Sequence, residues 1–257
     1  MKKTVGVIPA RWGSTRFPGK LLHPIAGQPL LQHVWERCQQ AQSLDAVIIA
    51  TDDMRIAQAA FDWGAEVSLT SSQHASGTDR VAEVARNLRG VTHIVNVQGD
   101  EPLIDPKLID RLAAALRHDR TLEMITAAHP FTALSEVMSP HQNKVVLDQK
   151  GNSLYFSRSP IPFLRDSAAP FTYLRHQGIY GYRRDFLLRF VRWRRTPLER
   201  AESLEQLRAL ENGVRIHVVV TESGSPGVDT PEDARAIEQK LLASPGRTAR
   251  RRRPQHR

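Results

Sequence analysis

The sequence predicts an α/β fold, a doubly wound and mostly parallel sheet that carries a smaller α+β insertion. Three observations predict it. Through the first half, short runs of β-branched residues alternate with stretches of helical period, the mark of successive βαβ units. After about Phe131 that alternation gives way to hairpin and turn signals. The length of 257 residues, 40% of them hydrophobic, is enough to bury a full core without disulfide or metal staples.

The elements follow in order. Thr4 to Pro9 reads as a buried strand, and Leu30 to Gln42 as a helix entered through Pro29. Asp45 to Thr51 is a second strand, followed by a helix from Asp53 to about Trp63. Glu66 to Thr70 is a short strand and Asp79 to Leu88 a helix. Thr92 to Gln98 is a strand, Pro106 to His118 a helix, and Leu122 to His129 a strand again. Lys144 to Asp148 and Ser153 to Arg158 flank Lys150-Gly151-Asn152 as a β-hairpin. Gly178 to Arg183 is a further strand, with helices over Asp185 to Arg194 and Glu202 to Glu211. Val214 to Thr221 returns to the sheet, and Pro231 to Leu242 is a final helix capped by Asp229 or Thr230. The expected division is a nucleotide-binding part over 1–130, an insertion over 131–213, a return over 214–244 and an Arg-rich tail over 245–257.

The formal net charge of +9 invites a nucleic-acid reading, but its distribution opposes one. Six arginines and no acid lie from Arg247 onward, which leaves three net positive charges on the body. The tail lacks apolar residues and is expected to be disordered. Aromatic residues are 6% of the chain, fewer than a base-stacking surface needs. The single cysteine, Cys38, sits inside an amphipathic stretch and reads as a core thiol. The longest apolar runs, such as Ala46 to Ala50, are too short to span a bilayer, and no signal peptide is legible, so a cytoplasmic protein is expected.

Two places carry chemistry. The loop from Pro9 to Lys20 follows the first strand, where an open α/β sheet places its ligand. Its glycines and hydroxyls let backbone N–H groups approach phosphates, while Arg11, Arg16 and Lys20 supply charge. It is not a Walker loop, because Gly13 and Gly19 enclose five residues and Leu21 follows the lysine. The second place is the strand end at Gln98-Gly99-Asp100-Glu101. An aspartate there can hold Mg²⁺ or simply cap a turn. Asp229, before the last helix, offers a second carboxylate or an N-cap, and two carboxylates facing one triphosphate would form a metal clamp.

Taken together, the loop ending Ser14-Thr15-Arg16-Phe17-Pro18-Gly19-Lys20, the run Ser76-Gly77-Thr78-Asp79-Arg80 and the run Asn96 to Pro102 resemble the bacterial cytidylyltransferases that activate acidic sugars. Tyr155 to Arg158, Arg175 to Tyr182, Glu202 to Arg208 and Pro226 to Asp233 narrow the resemblance to the 3-deoxy-manno-octulosonate (Kdo) cytidylyltransferases. It covers roughly Val5 to Leu242, with several motifs in the same order.

The resemblance implies a nucleotide-diphospho-sugar transferase-like fold and roles for individual residues. Arg11, Ser14 and Lys20 would hold the phosphates of CTP, and Ser76, Gly77, Thr78 and Arg80 would lie near its base and ribose. Asp100 and Asp229 would coordinate Mg²⁺. Arg16, Gln98, His176, Tyr180, Glu205 and Gln206 would face Kdo, although Tyr180 on a strand also reads as core and Gln206 as a solvated helix face. The reaction implied is attack of the anomeric 2-hydroxyl of Kdo on the α-phosphorus of CTP, giving CMP-Kdo and pyrophosphate for lipopolysaccharide biosynthesis. These motifs offer no side chain as general base, so that role falls to the metal. A homodimer formed through the second half is also implied. The alternatives are the same chemistry on 8-amino-Kdo or a sialic acid, and a basic RNA-binding protein.

Overall fold

The computed structural model describes residues 3–13, 17–166 and 170–243. Ser14, Arg16 and the Arg-rich tail, named above, lie outside the described residues.

The chain begins with β1 (Lys3–Ala10), then β2 (Pro24–Ile25) and β3 (Gln28–Pro29), a small antiparallel pair. α1 (Leu30–Gln39), β4 (Ala46–Thr51), α2 (Met54–Asp62), β5 (Glu66–Leu69), α3 (Gly77–Asn87), β6 (Val91–Asn96), α4 (Pro106–His118) and β7 (Met124–Pro130) continue the predicted alternation. Then come α5 (Leu134–Met138), β8 (Lys144–Leu147), β9 (Ser153–Ser157), β10 (Leu174–Arg183), α6 (Arg184–Phe190), α7 (Pro197–Glu202), α8 (Gln206–Glu211), β11 (Ile216–Val220) and α9 (Pro231–Ala243).

The main sheet runs β11-β7-β10-β6-β1-β4-β5, with β8 pairing with β10 and β9 at its margin. β1 is parallel to both β4 and β6, and β11 is parallel to β7. β10 runs antiparallel to both its neighbours, so the sheet is mostly parallel, as predicted. Side chains alternate across each strand and feed two apolar cores. Ile8, Val47, Ile49, Val95 and Ile125 pack on the face covered by α1, α2, α4 and α9. Val5, Val7, Ile48, Ile94 and Tyr182 pack on the face covered by α3, α6 and α8. Cys38 is fully buried in the first of these cores, as expected, and burial pushes its thiol up to about 12.

Three local expectations change. The strand expected from Gly178 begins at Leu174 and lies in the middle of the main sheet, although its residues fall in the stretch read as a smaller insertion. The helix expected over Glu202 to Glu211 is broken at Ser203, whose left-handed backbone (φ 51°) separates α7 from α8. The helix expected to reach Arg194 ends at Phe190, because the chain turns there to stack Trp193 edge-on against Phe186 and Phe190. No helix among the described residues is long and apolar enough to cross a membrane.

Candidate active site

Strand order reverses at β1, with β4 on one side and β6 on the other. A sheet of this kind opens a crevice beyond the carboxyl ends of the two strands that flank the reversal. A cavity of about 350 Å³ lies there, lined by Pro9, Arg11, Gly13, Lys20, Leu21, Gly77, Gln98, Gly99, Asp100 and Asp229. Gly99 is required by close approach, since a Cβ there would come within 3.2 Å of the Pro9 carbonyl and 3.3 Å of Leu31. Gly19 adopts φ 69° with the Trp12 ring 3.2 Å from where a Cβ would stand. That turn brings Lys20 back over the strand ends.

Lys20 is the centre of the cavity's electrostatics. Its Nζ donates to Asp100 Oδ2 at 2.6 Å, to the Val228 carbonyl at 2.9 Å and to Asp229 Oδ1 at 3.2 Å. Burial lowers the proton affinity of the amine, but the two carboxylates more than offset it, so the pKa rises above the ordinary lysine value. The capping question at the last helix is settled by geometry. Thr230 Oγ1 accepts from the Asp233 amide at 3.2 Å, and Asp233 Oδ2 accepts from the Thr230 amide at 2.9 Å. Thr230 is therefore the cap, and Asp229 lines the cavity with its carboxylate against Lys20.

The two carboxylates fit a divalent cation by their chemistry. They already converge on one cationic nitrogen, and Mg²⁺ is commonly held by one or two carboxylates together with substrate phosphates. Among the described residues no cluster of three or more His, Cys, Asp or Glu stands ready as a self-sufficient metal cage. Of the acidic pair after β6, only Asp100 faces the cavity. Glu101 is buried, and burial followed by the nearby Asp100 charge pushes its carboxyl up to about 8.

The expected nucleotide-side residues divide. Gly77 lines the cavity against Pro9, and Ser76 caps α3 in a reciprocal box with Asp79. Arg80 is fully buried, with its guanidinium 2.9 Å from Asp52 Oδ1 and bonded to Thr70. It supports the loop from below, and burial lowers its pKa.

Of the expected sugar-side residues that are described, Gln98 lines the cavity itself, and Glu205 approaches it through Ser76 and Thr78 on either side of Gly77. Gln98 donates from Nε2 to the Gly178 carbonyl at 3.1 Å, at the irregularity where β10 changes register between Gln177 and Tyr180. Thr126 Oγ1 donates to the Ile179 carbonyl at 2.7 Å and lies 2.9 Å from His176 Nε2. His176 is buried between Phe156 and Tyr180, and that burial lowers its pKa to about 3, so the ring is neutral. Burial and then the Glu205 charge raise the half-buried Tyr180 phenol above its ordinary value. Glu205 lies 3.1 Å from Ser76 Oγ and 2.5 Å from Thr78 Oγ1, so the sugar-side and nucleotide-side groups meet at one carboxylate. Gln206 is 4% exposed and its Nε2 has no hydrogen-bond partner among the described residues. The solvated face that a helical position suggests is therefore excluded.

Sequence reasoning missed Thr126, Glu199 and Arg208, which support these groups from beneath. Only Glu199 carries a local mark, the Thr196-x-x-Glu199 capping box, whereas the partner of Thr126 on β10 and the two-pronged partner of Arg208 on α7 lie on other elements.

A phosphate-type loop and two apposed carboxylates at the strand reversal of a doubly wound sheet define a nucleotidyltransferase. Comparison with known proteins agrees. Residues 5–216 match the family model described as cytidylyltransferase. The 3-deoxy-manno-octulosonate cytidylyltransferase of Solibacter usitatus is 52% identical, over 95% of this chain and 96% of its own. That of Geobacter sulfurreducens is 50% identical, over 91% of this chain and 98% of its own. A solved structure of a CMP:2-keto-3-deoxy-manno-octonic acid synthetase complexed with CTP superposes with a TM-score of 0.90 at 41% identity, covering 94% of this chain and 99% of that one. The chain belongs to the 3-deoxy-manno-octulosonate cytidylyltransferase family.

Proposed function

We propose that this enzyme joins Kdo to CTP, forming CMP-Kdo and releasing pyrophosphate. The 2-hydroxyl oxygen of Kdo bonds to the α-phosphorus while the bond from that phosphorus to the bridging oxygen of pyrophosphate breaks, and the hydroxyl proton leaves to solvent. Such a displacement needs positioning and charge neutralisation more than covalent help from the protein. Arg11 and Lys20, which line the cavity, bind the phosphates, and Ser14 of the same loop is assigned there with them. The buried Arg80 supports the base-side loop of Ser76, Gly77 and Thr78. Gln98, His176, Tyr180, Glu205 and Gln206 read the sugar, with Arg16 assigned to its carboxylate. Asp100 and Asp229 would hold Mg²⁺, which supplies charge neutralisation at the phosphates and at the attacking oxygen.

The observation that carries this reading is the convergence of Asp100 and Asp229 on one cation position inside the cavity. The unpartnered amide of Gln206 supports a hydroxylated sugar beside it, because a buried donor without an acceptor is costly until a ligand supplies one. The product would enter lipopolysaccharide assembly, in the cytoplasm. A homodimer through the second half is supported by exposed apolar side chains gathered there, among them Leu134, Met138, Phe163 and Phe171.

The test is pyrophosphate release measured for CTP, UTP, ATP and GTP against Kdo, 8-amino-Kdo, sialic acid and a hexose 1-phosphate. CTP with Kdo is expected to exceed every other pair by at least tenfold in kcat/KM. A sialic acid or a sugar phosphate outperforming Kdo would overturn the assignment.

A further inference from the structure

One ionic cluster lies behind the sugar-side helix, with Arg208 and Glu199 buried and Glu205 partly exposed. Arg208, 6% exposed in α8, donates from Nε to Glu199 Oε2 at 2.9 Å and from Nη2 to Glu199 Oε1 at 2.8 Å, a two-pronged pair. The same Nη2 donates to Glu205 Oε1 at 3.0 Å, and the guanidinium lies over the Phe190 ring at 4.7 Å. Glu199 is itself 1% exposed and is held by the capping box of α7. A guanidinium fixed on three sides in this way leaves Glu205 little freedom, since lifting it away uncovers a buried charge.

The other side of Glu205 reaches a different part of the molecule. Its oxygens meet the hydroxyls of Ser76 and Thr78, which flank Gly77 at the start of α3, and Gly77 lines the cavity against Pro9. One carboxylate thus ties the first turn of α3 to the first turn of α8. A shift of either helix start stretches the same hydrogen bonds, so each helix start restrains the other.

We propose that Arg208 is a positioning residue that holds Glu205 as a tie between the nucleotide-side and sugar-side walls, so that binding of one substrate strengthens binding of the other. The inference rests on the substrate assignment given above, with CTP against the Ser76–Thr78 turn and Kdo against α8. A ligand that orders one wall then spares the second ligand part of that ordering cost, which is positive coupling.

The experiment is calorimetric binding of the α,β-methylene analogue of CTP, which cannot react, to the full chain with and without saturating Kdo in Mg²⁺. The wild-type protein is expected to bind the analogue about fivefold or more tightly when Kdo is present, within the usual range of such couplings. Arg208→Lys keeps the charge but loses the fork that grips two carboxylates. Thr78→Val keeps the shape and removes one hydroxyl from Glu205. In each variant the ratio of the two dissociation constants is expected to fall to about two or less. The double variant is expected to lose no more than the larger single loss, because both changes cut the same tie. Thermal unfolding checks that the proteins compared are folded, and Thr78→Val serves alone if Arg208→Lys is not. A folded variant that keeps the full wild-type ratio would overturn the proposal, since a merely structural role leaves coupling intact. A wild-type ratio of one, with both ligands binding, also overturns it and leaves the substrate assignment standing. A wild-type protein that binds neither ligand overturns the assignment itself, and the coupling with it.

Discussion

Replacing Lys20 by methionine keeps the apolar stem of the side chain and removes the cation that bridges Asp100 and Asp229. The lysine side chain is 14% exposed, Asp100 31% and Asp229 51%, so the pair lies between a surface ion pair and a buried one. Exposed pairs contribute up to about 1 kcal/mol, whereas removing one partner of a buried pair costs about 3–5 kcal/mol. A loss of about 2 kcal/mol follows, and for a chain of this length each kcal/mol is worth roughly 2–4 °C in Tm. The variant is therefore expected to melt about 4–8 °C below wild type in metal-free buffer. The same change leaves two carboxylates facing a vacated cation position, which Mg²⁺ fits. At ten times its dissociation constant the ion returns about 1.4 kcal/mol, most of the loss. Differential scanning fluorimetry with and without millimolar Mg²⁺, no nucleotide present, measures both effects. Wild type is expected to respond weakly, because the ion must first displace the amine. If Mg²⁺ raised the Tm of wild type as much as that of Lys20→Met, the lysine would not occupy the cation position and the clamp argument would fail.

His176 gives a pH prediction. Its folded-state pKa of about 3 lies below the ordinary 6.5, so the unfolded chain takes up a proton that the folded chain refuses. The associated stability is whole above pH 6.5 and falls at roughly 1.4 kcal/mol per unit as the pH drops from there toward 3. Urea midpoints at several pH values are expected to fall less steeply in His176→Gln, by about one proton's worth; equal slopes in the two proteins would remove His176 as the cause. For the proposed dimer, Leu134→Glu with Phe163→Glu places charge on side chains that are 69% and 89% exposed. Light scattering is expected to show a dimer for wild type and a monomer for the double variant with unchanged Tm, and a monomeric wild type at micromolar concentration would reject the interface.

The parallel half of the fold was legible because its information is local. β1, β4 and β6 are short apolar runs, and α2, α3 and α4 carry their caps, Asp53, Ser76 and Asp105, in the adjoining sequence. The loop after β1 and the strand end at Asp100 were legible for the same reason, since a sheet delivers its ligand to the strand ends whatever the rest of the chain does. What failed to show was non-local. No pattern within 174–183 says that this strand threads between β6 and β7. The break at Ser203 has no glycine or proline to announce it and exists because Glu205 and Arg208 are pulled toward partners on α3 and α7. Arg80 looked like a ligand-facing cation because a sequence displays neither its burial nor its partner Asp52.

The central place of β10 bears on the order in which the chain can assemble. β6 and β7 are complete once residue 130 has been made, yet neither can close its inner edge until residues 174–183 arrive. During synthesis the nascent chain therefore carries these two inner edges unsatisfied for the time it takes to add some fifty residues, and the outer edge of β7 waits longer, for β11; open edges invite pairing with other chains. The parallel half is thus a template completed by a later segment rather than a unit that folds alone. The carboxyl-end cavity is completed later still, because its lining includes Asp229, which follows β11. The ligand-binding crevice should become competent only when the chain is nearly finished.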